Sequence, residues 1–313
     1  MPVDPQCRAV LAATAVNGSV FEVRDPAEAR RRYDAGTAVF APATPPLDHV
    51  ADDVLPGPAG PLPIRIYRPR GLGARLLPTV AFFHGGGWVF GNRDSHDAVC
   101  RILAHQAGAL VVSLDYRLAP EHKFPAAFDD CVAATRWLLA QAGELGGDAA
   151  RVAVAGDSAG GNLAAATCLA LRDAGGPAPV FQLLIYPAVD LAADSDSHRA
   201  FADGYLLTAK AIAWCTDSYL AGAEEVSDWR ASPLRAANHR GLPPALVQTA
   251  EFDPLRDEGL AYARRLEAAG VRTSHTRYAG MIHGFLRMGR LVDDAAKALS
   301  EGAGALAAAF ADS

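Results

Sequence analysis

The residues best suited to chemistry are Gly156-Asp157-Ser158-Ala159-Gly160. The β-like run Arg151-Val152-Ala153-Val154-Ala155 leads into them, and the helix-forming Asn162-Leu163-Ala164-Ala165-Ala166 leads out. A serine on a sharp strand-to-helix turn stands clear of its sheet, and glycines two residues to either side leave room for the turn. Such a hydroxyl attacks an acyl carbon and carries the acyl group covalently. On the pentapeptide alone, a serine that only caps the following helix is the competing reading.

A second run, His84-Gly85-Gly86-Gly87-Trp88, follows the apolar Pro78-Thr79-Val80-Ala81-Phe82-Phe83. Serine attack on an ester builds negative charge on the carbonyl oxygen, and each backbone N–H aimed at it contributes roughly 3 kcal/mol. Glycines let the main chain approach that oxygen with no Cβ in the way. The expected donors are Ala159 and two of the three glycines, Gly86 and Gly87, with Gly85 serving the turn. A nucleotide-binding loop fails on spacing. Phe90 stands where a dinucleotide fingerprint needs glycine, and no Gly-Lys-Ser/Thr follows. His84 precedes the glycines and reads as a loop-fixing hydrogen-bonder, while Trp88 is either core or a pocket wall.

The serine needs an imidazole to take its proton and a carboxylate to orient that imidazole. In chain order the acid and then the histidine follow the serine, which leaves His198, His239, His275 and His283. His275 lies in an alternating, edge-strand-like run. His283 sits in Gly280-Met281-Ile282-His283-Gly284-Phe285, a glycine-flanked loop, and is the predicted base. The acid is expected in the loop after Ala245-Leu246-Val247-Gln248-Thr249-Ala250. Asp253 precedes Pro254, which keeps it out of the next helix. Glu251 is the reserve, and Asp257 and Glu258 read as first-turn acids that favour the helix dipole.

These elements imply an α/β fold with alternating strands and helices from about residue 62 onward. The motifs together resemble the hormone-sensitive-lipase-like group of α/β-hydrolases, the bacterial family IV esterases. Asp115-Tyr116-Arg117-Leu118-Ala119-Pro120-Glu121, Phe124-Pro125-Ala126-Ala127, Asp253-Pro254-Leu255-Arg256-Asp257-Glu258-Gly259 and His283-Gly284-Phe285 carry the resemblance beside the two glycine motifs. It spans roughly residues 60 to 290. It implies the α/β-hydrolase fold, with a mostly parallel central sheet flanked by helices and a helical cap, and carboxylic ester hydrolysis without a cofactor. The triad it implies, Ser158, Asp253 and His283, is the one that spacing selects. The expected division is 1–45 as the N-terminal part of a cap, 46–189 as the first part of the core, 190–232 as a cap insertion and 233–313 as the rest of the core. Trp88, Asp157, Tyr205, Leu206 and Trp214 are the substrate-binding candidates, with Phe201 and Tyr219 beside them. Thr208 reads as the cap of an insertion helix. By analogy the substrates are small soluble esters of short to medium acyl chain. The same scaffold also carries non-catalytic small-molecule binders and dehydratases, the rival readings.

The chain has 313 residues, half of them hydrophobic, and a formal net charge of −6, which argues against nucleic acid as partner. The start, Met1-Pro2-Val3-Asp4-Pro5-Gln6, has no basic or apolar leader, and no stretch is long enough to span a bilayer. Five scattered cysteines suit reduced thiols, so a cytoplasmic location is expected. His96, Cys100 and His105 lack a further ligand near in sequence and are expected to be helix residues rather than a metal site. The final strand, Arg272 to Arg277, and the final helix, about Leu291 to Phe310, offer an edge for a homodimer.

Overall fold

The computed structural model describes residues 2–192 and 194–313. In chain order the strands are β1 (His49–Gly57), β2 (Gly60–Arg68), β3 (Leu77–Phe83), β4 (Leu110–Leu114), β5 (Gly147–Asp157), β6 (Gln182–Ile185), β7 (Ala245–Phe252) and β8 (Thr273–Ile282). The helices are α1 (Pro5–Asn17), α2 (Pro26–Phe40), α3 (Asp97–Ala107), α4 (Ala126–Gln141), α5 (Ala159–Ala174), α6 (Asp196–Ala200), α7 (Ala209–Tyr219), α8 (Arg256–Ala268) and α9 (Asp294–Ala311). Among the described residues the strands form one sheet in the order β1-β2-β4-β3-β5-β6-β7-β8. β2 runs antiparallel to both of its neighbours, and every pairing from β4 to β8 is parallel.

Central strands of such a sheet are apolar on both faces, and the alternation along each strand divides the core in two. Ala81, Phe83, Val152 and Val154 face the side covered by α4, α5 and α8. Val80, Phe82, Ala153 and Ala155 face the side covered by α3 and α9. The α/β-hydrolase architecture expected from the motifs is the one observed.

The remaining helices lie outside these layers. Asp4 opens α1 by accepting from the Gln6 N–H at 2.7 Å, and Asp25 opens α2 by accepting from the Ala27 N–H at 3.2 Å. Each is followed by a proline, whose missing N–H costs nothing in a first turn. Thr208 caps α7 as expected, accepting from the Ala211 N–H at 3.1 Å. Arg30 fastens α2 to the body. Its guanidinium donates to the carbonyls of Val89 (2.9 Å) and Ala119 (3.0 Å) and makes two bonds to the Glu121 carboxylate.

Candidate active site

Strand β5 ends at Asp157, and Ser158 takes φ 55° and ψ −118° before α5 begins. A β-carbon on Gly156 would strike the Gly160 backbone, and one on Gly160 would strike the carbonyl of Phe83 at the end of β3. The turn therefore closes only with glycine at both positions.

The three predicted side chains meet here. His283 Nε2 lies 2.9 Å from Ser158 Oγ, and His283 Nδ1 lies 2.7 Å from Asp253 Oδ2. With the proton on Nδ1, the ring donates to Asp253 and accepts from the serine hydroxyl. Asp253 is fully buried, and its other oxygen accepts the Leu255 N–H at 2.9 Å. The Tyr186 ring packs 4.8 Å from the imidazole. Glu251, the reserve acid, lies elsewhere: its carboxylate accepts the Gly280 N–H at 2.7 Å and is held below the usual carboxylate range by that bond.

Gly86 and Gly87 adopt φ 130° and 58°, and their N–H groups meet no acceptor among the described residues. Ala159 opens α5, where the first N–H groups have no intrahelical partner. Gly85 differs, because its N–H donates to Asp157 Oδ1 at 2.8 Å. That removes Gly85 from the oxyanion candidates and gives it the turn.

Asp157 also departs from its expected place as a substrate contact. It is 2% exposed. Besides Gly85, its carboxylate meets His96 Nε2 at 3.1 Å and the Tyr186 hydroxyl at 3.4 Å. It borders the cavity but fastens the glycine loop to the elbow. His96, considered from the sequence beside Cys100 and His105, precedes α3 and serves this contact. His84 fixes the loop, with Nδ1 2.9 Å from the Gly85 carbonyl oxygen and its ring stacked on Tyr116 at 4.2 Å. Burial pulls its pKa down to about 3, so it is neutral.

A cavity of ≈ 1290 Å³ opens over Ser158, larger than the roughly 300–1,000 Å³ usual for small-molecule sites. Its walls come from α1, α2, α7 and the segment around α6, as well as the sheet ends. Trp88 and Leu206 line it. Tyr205 and Trp214 do not. Tyr205 stacks on Phe252 at 5.4 Å, with Phe201 edge-on at 5.1 Å. Trp214 shares the α7 face of Ala211 and Ser218 and lies under the Arg24 guanidinium, while Ile212, Ala213 and Thr216 face the cavity. Tyr219 sits behind the wall, stacked on Trp88 at 4.5 Å.

Glu258 falls in the helical turn expected of it, but its surroundings are not those of a dipole-facing surface acid. It lies in the first turn of α8 but is 3% exposed and borders the cavity. Its Oε1 accepts the Val189 N–H at 2.7 Å and the Asp190 N–H at 3.3 Å. Burial pushes its carboxyl well above the usual carboxylate range. Asp257 fits the first-turn expectation better, remaining partly exposed and accepting the Ser197 N–H at 2.9 Å. Nothing in the local sequence separates the two acids, because the difference comes from the β6–α6 connection packed over α8.

The α/β-hydrolase-fold family profile matches residues 80–287. The carboxylic ester hydrolase LipN of Mycobacterium tuberculosis is 42% identical over 306 residues, covering 96% of this chain and 81% of that protein. An ethyl acetate hydrolase of Pseudomonas putida is 42% identical over 281 residues, covering 87% of this chain and 86% of that protein. Among solved structures, an ester hydrolase from the metagenome of Lake Arreo, complexed with a bipyridine phosphonate derivative, superposes with a TM-score of 0.95. It is 44% identical and covers 99% of both chains.

Proposed function

The chain belongs to the α/β-hydrolase fold family, in its hormone-sensitive-lipase-like esterase branch, and from that premise we propose that it is a serine carboxylesterase. The observation that carries this reading is the continuous contact from Asp253 through His283 to Ser158, beside amides of Gly86 and Gly87 that meet no acceptor among the described residues.

His283 takes the Ser158 proton as the oxygen attacks the acyl carbon. Gly86, Gly87 and Ala159 donate to the carbonyl oxygen as it becomes negative. The imidazolium then protonates the leaving alcohol, and the acyl group remains on Ser158. A water, deprotonated by the same ring, attacks that acyl group and releases the acid. Asp253 keeps the ring in the required tautomer throughout. Helices α1 and α2, with residues 190–232, act as the cap that shapes the cavity. By family analogy the substrates are soluble esters of short to medium acyl chain, and the largely apolar walls of the cavity suit an acyl group.

Replacement of Ser158 by Ala should reduce 4-nitrophenyl butyrate turnover by about 10⁵–10⁶ in kcat, with an unchanged circular-dichroism melt. A fluorophosphonate probe should label the wild type once, at Ser158. Tight ligand binding without labelling would favour a non-catalytic binder, and water elimination without an acyl intermediate would favour a dehydratase.

A further inference from the structure

We propose that Arg287 forms a carboxylate-binding subsite in the wall of the cavity, so that the preferred esters carry a free carboxylate at a set distance from the scissile bond, as half-esters of linear dicarboxylic acids do. This inference rests on the esterase reading and names a substrate class for it.

Three arginines line the cavity. Arg32 holds Glu28 at 2.7 Å, and Arg199 holds Asp194 at 2.6 Å. Arg287 has no carboxylate within 4 Å among the described residues, yet it is held in place. Its Nε donates to the Ser95 carbonyl at 3.2 Å, its Nη2 donates to Thr37 Oγ1 at 2.7 Å, and its guanidinium carbon lies 3.8 Å from the centre of the Tyr33 ring. All of these partners are neutral. They cover the edge formed by Nε and Nη2 and one face of the group. Apart from the Tyr33 hydroxyl, which also approaches the guanidinium, no acceptor among the described residues is left for Nη1. A guanidinium is a flat fork of N–H donors, and a carboxylate is the anion that takes two of them at once. Arg287 remains partly exposed, so a ligand can reach it.

Three carboxylates share this neighbourhood, Asp157, Asp34 and Asp253, and each already has partners. Asp157 accepts the Gly85 N–H and faces His96. Asp34 accepts from Asn92 Nδ2 at 3.0 Å. Asp253 is taken by His283 and the Leu255 N–H. None of them neutralises the guanidinium by contact, and all of them repel an incoming anion. Coulomb attraction at roughly 3 Å outweighs repulsion spread over longer separations, so an anion gains only where it touches Arg287. That makes the subsite selective for length. Arg287 ends the short turn Phe285–Arg287 that follows His283, so a short methylene chain is what must separate the carboxylate from the scissile carbonyl. Phe40 and Met288, which line the cavity with Arg287, offer that chain an apolar surface.

The test compares charged and neutral esters matched in length, near neutral pH, where a free carboxyl is ionised. In the acyl series, the monoethyl esters of succinate, glutarate, adipate, pimelate and suberate are each set against the ethyl alkanoate of equal chain length. In the alcohol series, acetates of the linear ω-hydroxy acids are set against alkyl acetates. The quantity read is the ratio of kcat/KM, charged over neutral. In the wild type it should rise above unity and peak at one chain length in at least one series. Arg287→Met keeps an unbranched stem and should lower the ratio at that length by about tenfold or more. Arg287→Lys keeps the charge without the fork and should lose less. Because each ratio is taken within one protein, any active enzyme lost by loosening Thr37 and Tyr33 cancels. Should Arg287→Met fail to fold, the wild type decides alone: linear carboxylates should inhibit hydrolysis of 4-nitrophenyl butyrate more strongly than the amides of equal length, with the same optimum. The subsite is overturned by a wild-type ratio without a peak, by an unchanged profile in Arg287→Met, by an equal drop at every length, which marks distant charge rather than contact, or by amides that inhibit as well as carboxylates. Each of these leaves the esterase reading intact as long as the neutral esters are hydrolysed. Failure to hydrolyse any ester would remove both.

Discussion

The proposed oxyanion loop is gripped from above as well as below, and Gly87→Ala tests that grip. Gly87 has φ 58°, where an alanine costs roughly 1–2 kcal/mol. Its added β-carbon would overlap Cys215 Sγ of α7 and come within 3.0 Å of Cys215 Cβ. Both approaches fall inside the roughly 3.5–4.0 Å at which such atoms pack. The loop must therefore retreat from α7, and the Gly87 N–H leaves the position of the developing oxyanion. Loss of one such donor costs about 2.7–4 kcal/mol, so kcat should fall by about 10²–10³. KM should change far less, because the donor acts mainly in the transition state. Cys215→Ala alone removes only the sulfur and should leave kcat within about threefold of wild type. In the double variant the sulfur overlap is gone but the β-carbons remain crowded, so recovery should be partial, about tenfold. The assay is kcat and KM for 4-nitrophenyl butyrate in all four proteins, with melting temperatures to separate folding from chemistry. Wild-type kcat in Gly87→Ala would remove the Gly87 N–H from the mechanism. No recovery in the double variant would show that α7 is not what displaces the loop.

Asp253→Asn keeps an acceptor for the Leu255 N–H but favours the wrong imidazole tautomer; kcat should fall by about 10⁴ with little change in melting temperature, read by ester hydrolysis and calorimetry. Arg30→Ala should destabilise the protein mainly by freeing α2. Its ion-pair share is below about 1 kcal/mol because both side chains are partly exposed. Arg30 holds the Glu121 carboxyl at about 2, down from 4.5, so that share is present above pH 4.5 and fades as pH falls through 2, which urea melts across acid pH would read. Glu258 behaves in the opposite sense. Its raised pKa means that the folded state holds a proton that the unfolded chain releases, so its contribution weakens stability as pH rises above the ordinary 4.5. Asp190, Asp253 and His198 are the titrating groups nearest to it. The melting temperature of Glu258→Gln relative to wild type should increase steadily from pH 5 to 8, and a flat difference would contradict a buried, protonated acid.

Much of this architecture was legible because its signals are local. The strands around the elbow alternate between two buried faces, and both glycine motifs fall at strand ends where the backbone must turn or approach closely. Asp253 and His283 stand out because each follows a strand within a breaker-rich loop. The cavity wall was less legible. Leu206 lines it while Tyr205 turns to Phe252, and Trp214 occupies the α7 face opposite Ile212 and Ala213. A helix sequence gives the faces but not how the helix is docked. The support of the glycine loop was hidden for another reason. Asp157 meets His96 and Gly85 across separations of 61 and 72 residues, and no periodicity announces a polar contact between such distant points. A buried acid directly before Ser158, at the end of an apolar strand, is the one signal that could have raised the question of its partner.

That hidden contact explains how two strained positions stay in register. Ser158 at φ 55° and Trp88 at φ 60° each cost of order 1–3 kcal/mol and persist only where the surroundings over-determine them. Asp157 joins the two strained segments, because it precedes Ser158 on β5 and accepts from Gly85 at the start of the glycine run. Tyr186, itself at φ 33°, contacts Asp157 through its hydroxyl and His283 through its ring. On the opposite side, Trp88 stacks on Tyr219 at the end of α7, and its carbonyl accepts the Ala119 N–H at 2.9 Å. Displacing Asp157 would let the glycine amides drift relative to Ser158 without touching either reacting group. Electrostatic stabilisation depends on donors that need no reorganisation as charge develops. On the proposed mechanism, the residue beside Ser158 therefore bears on catalysis through the spacing between serine and amides, and α7 bears on it from the other side through the same loop.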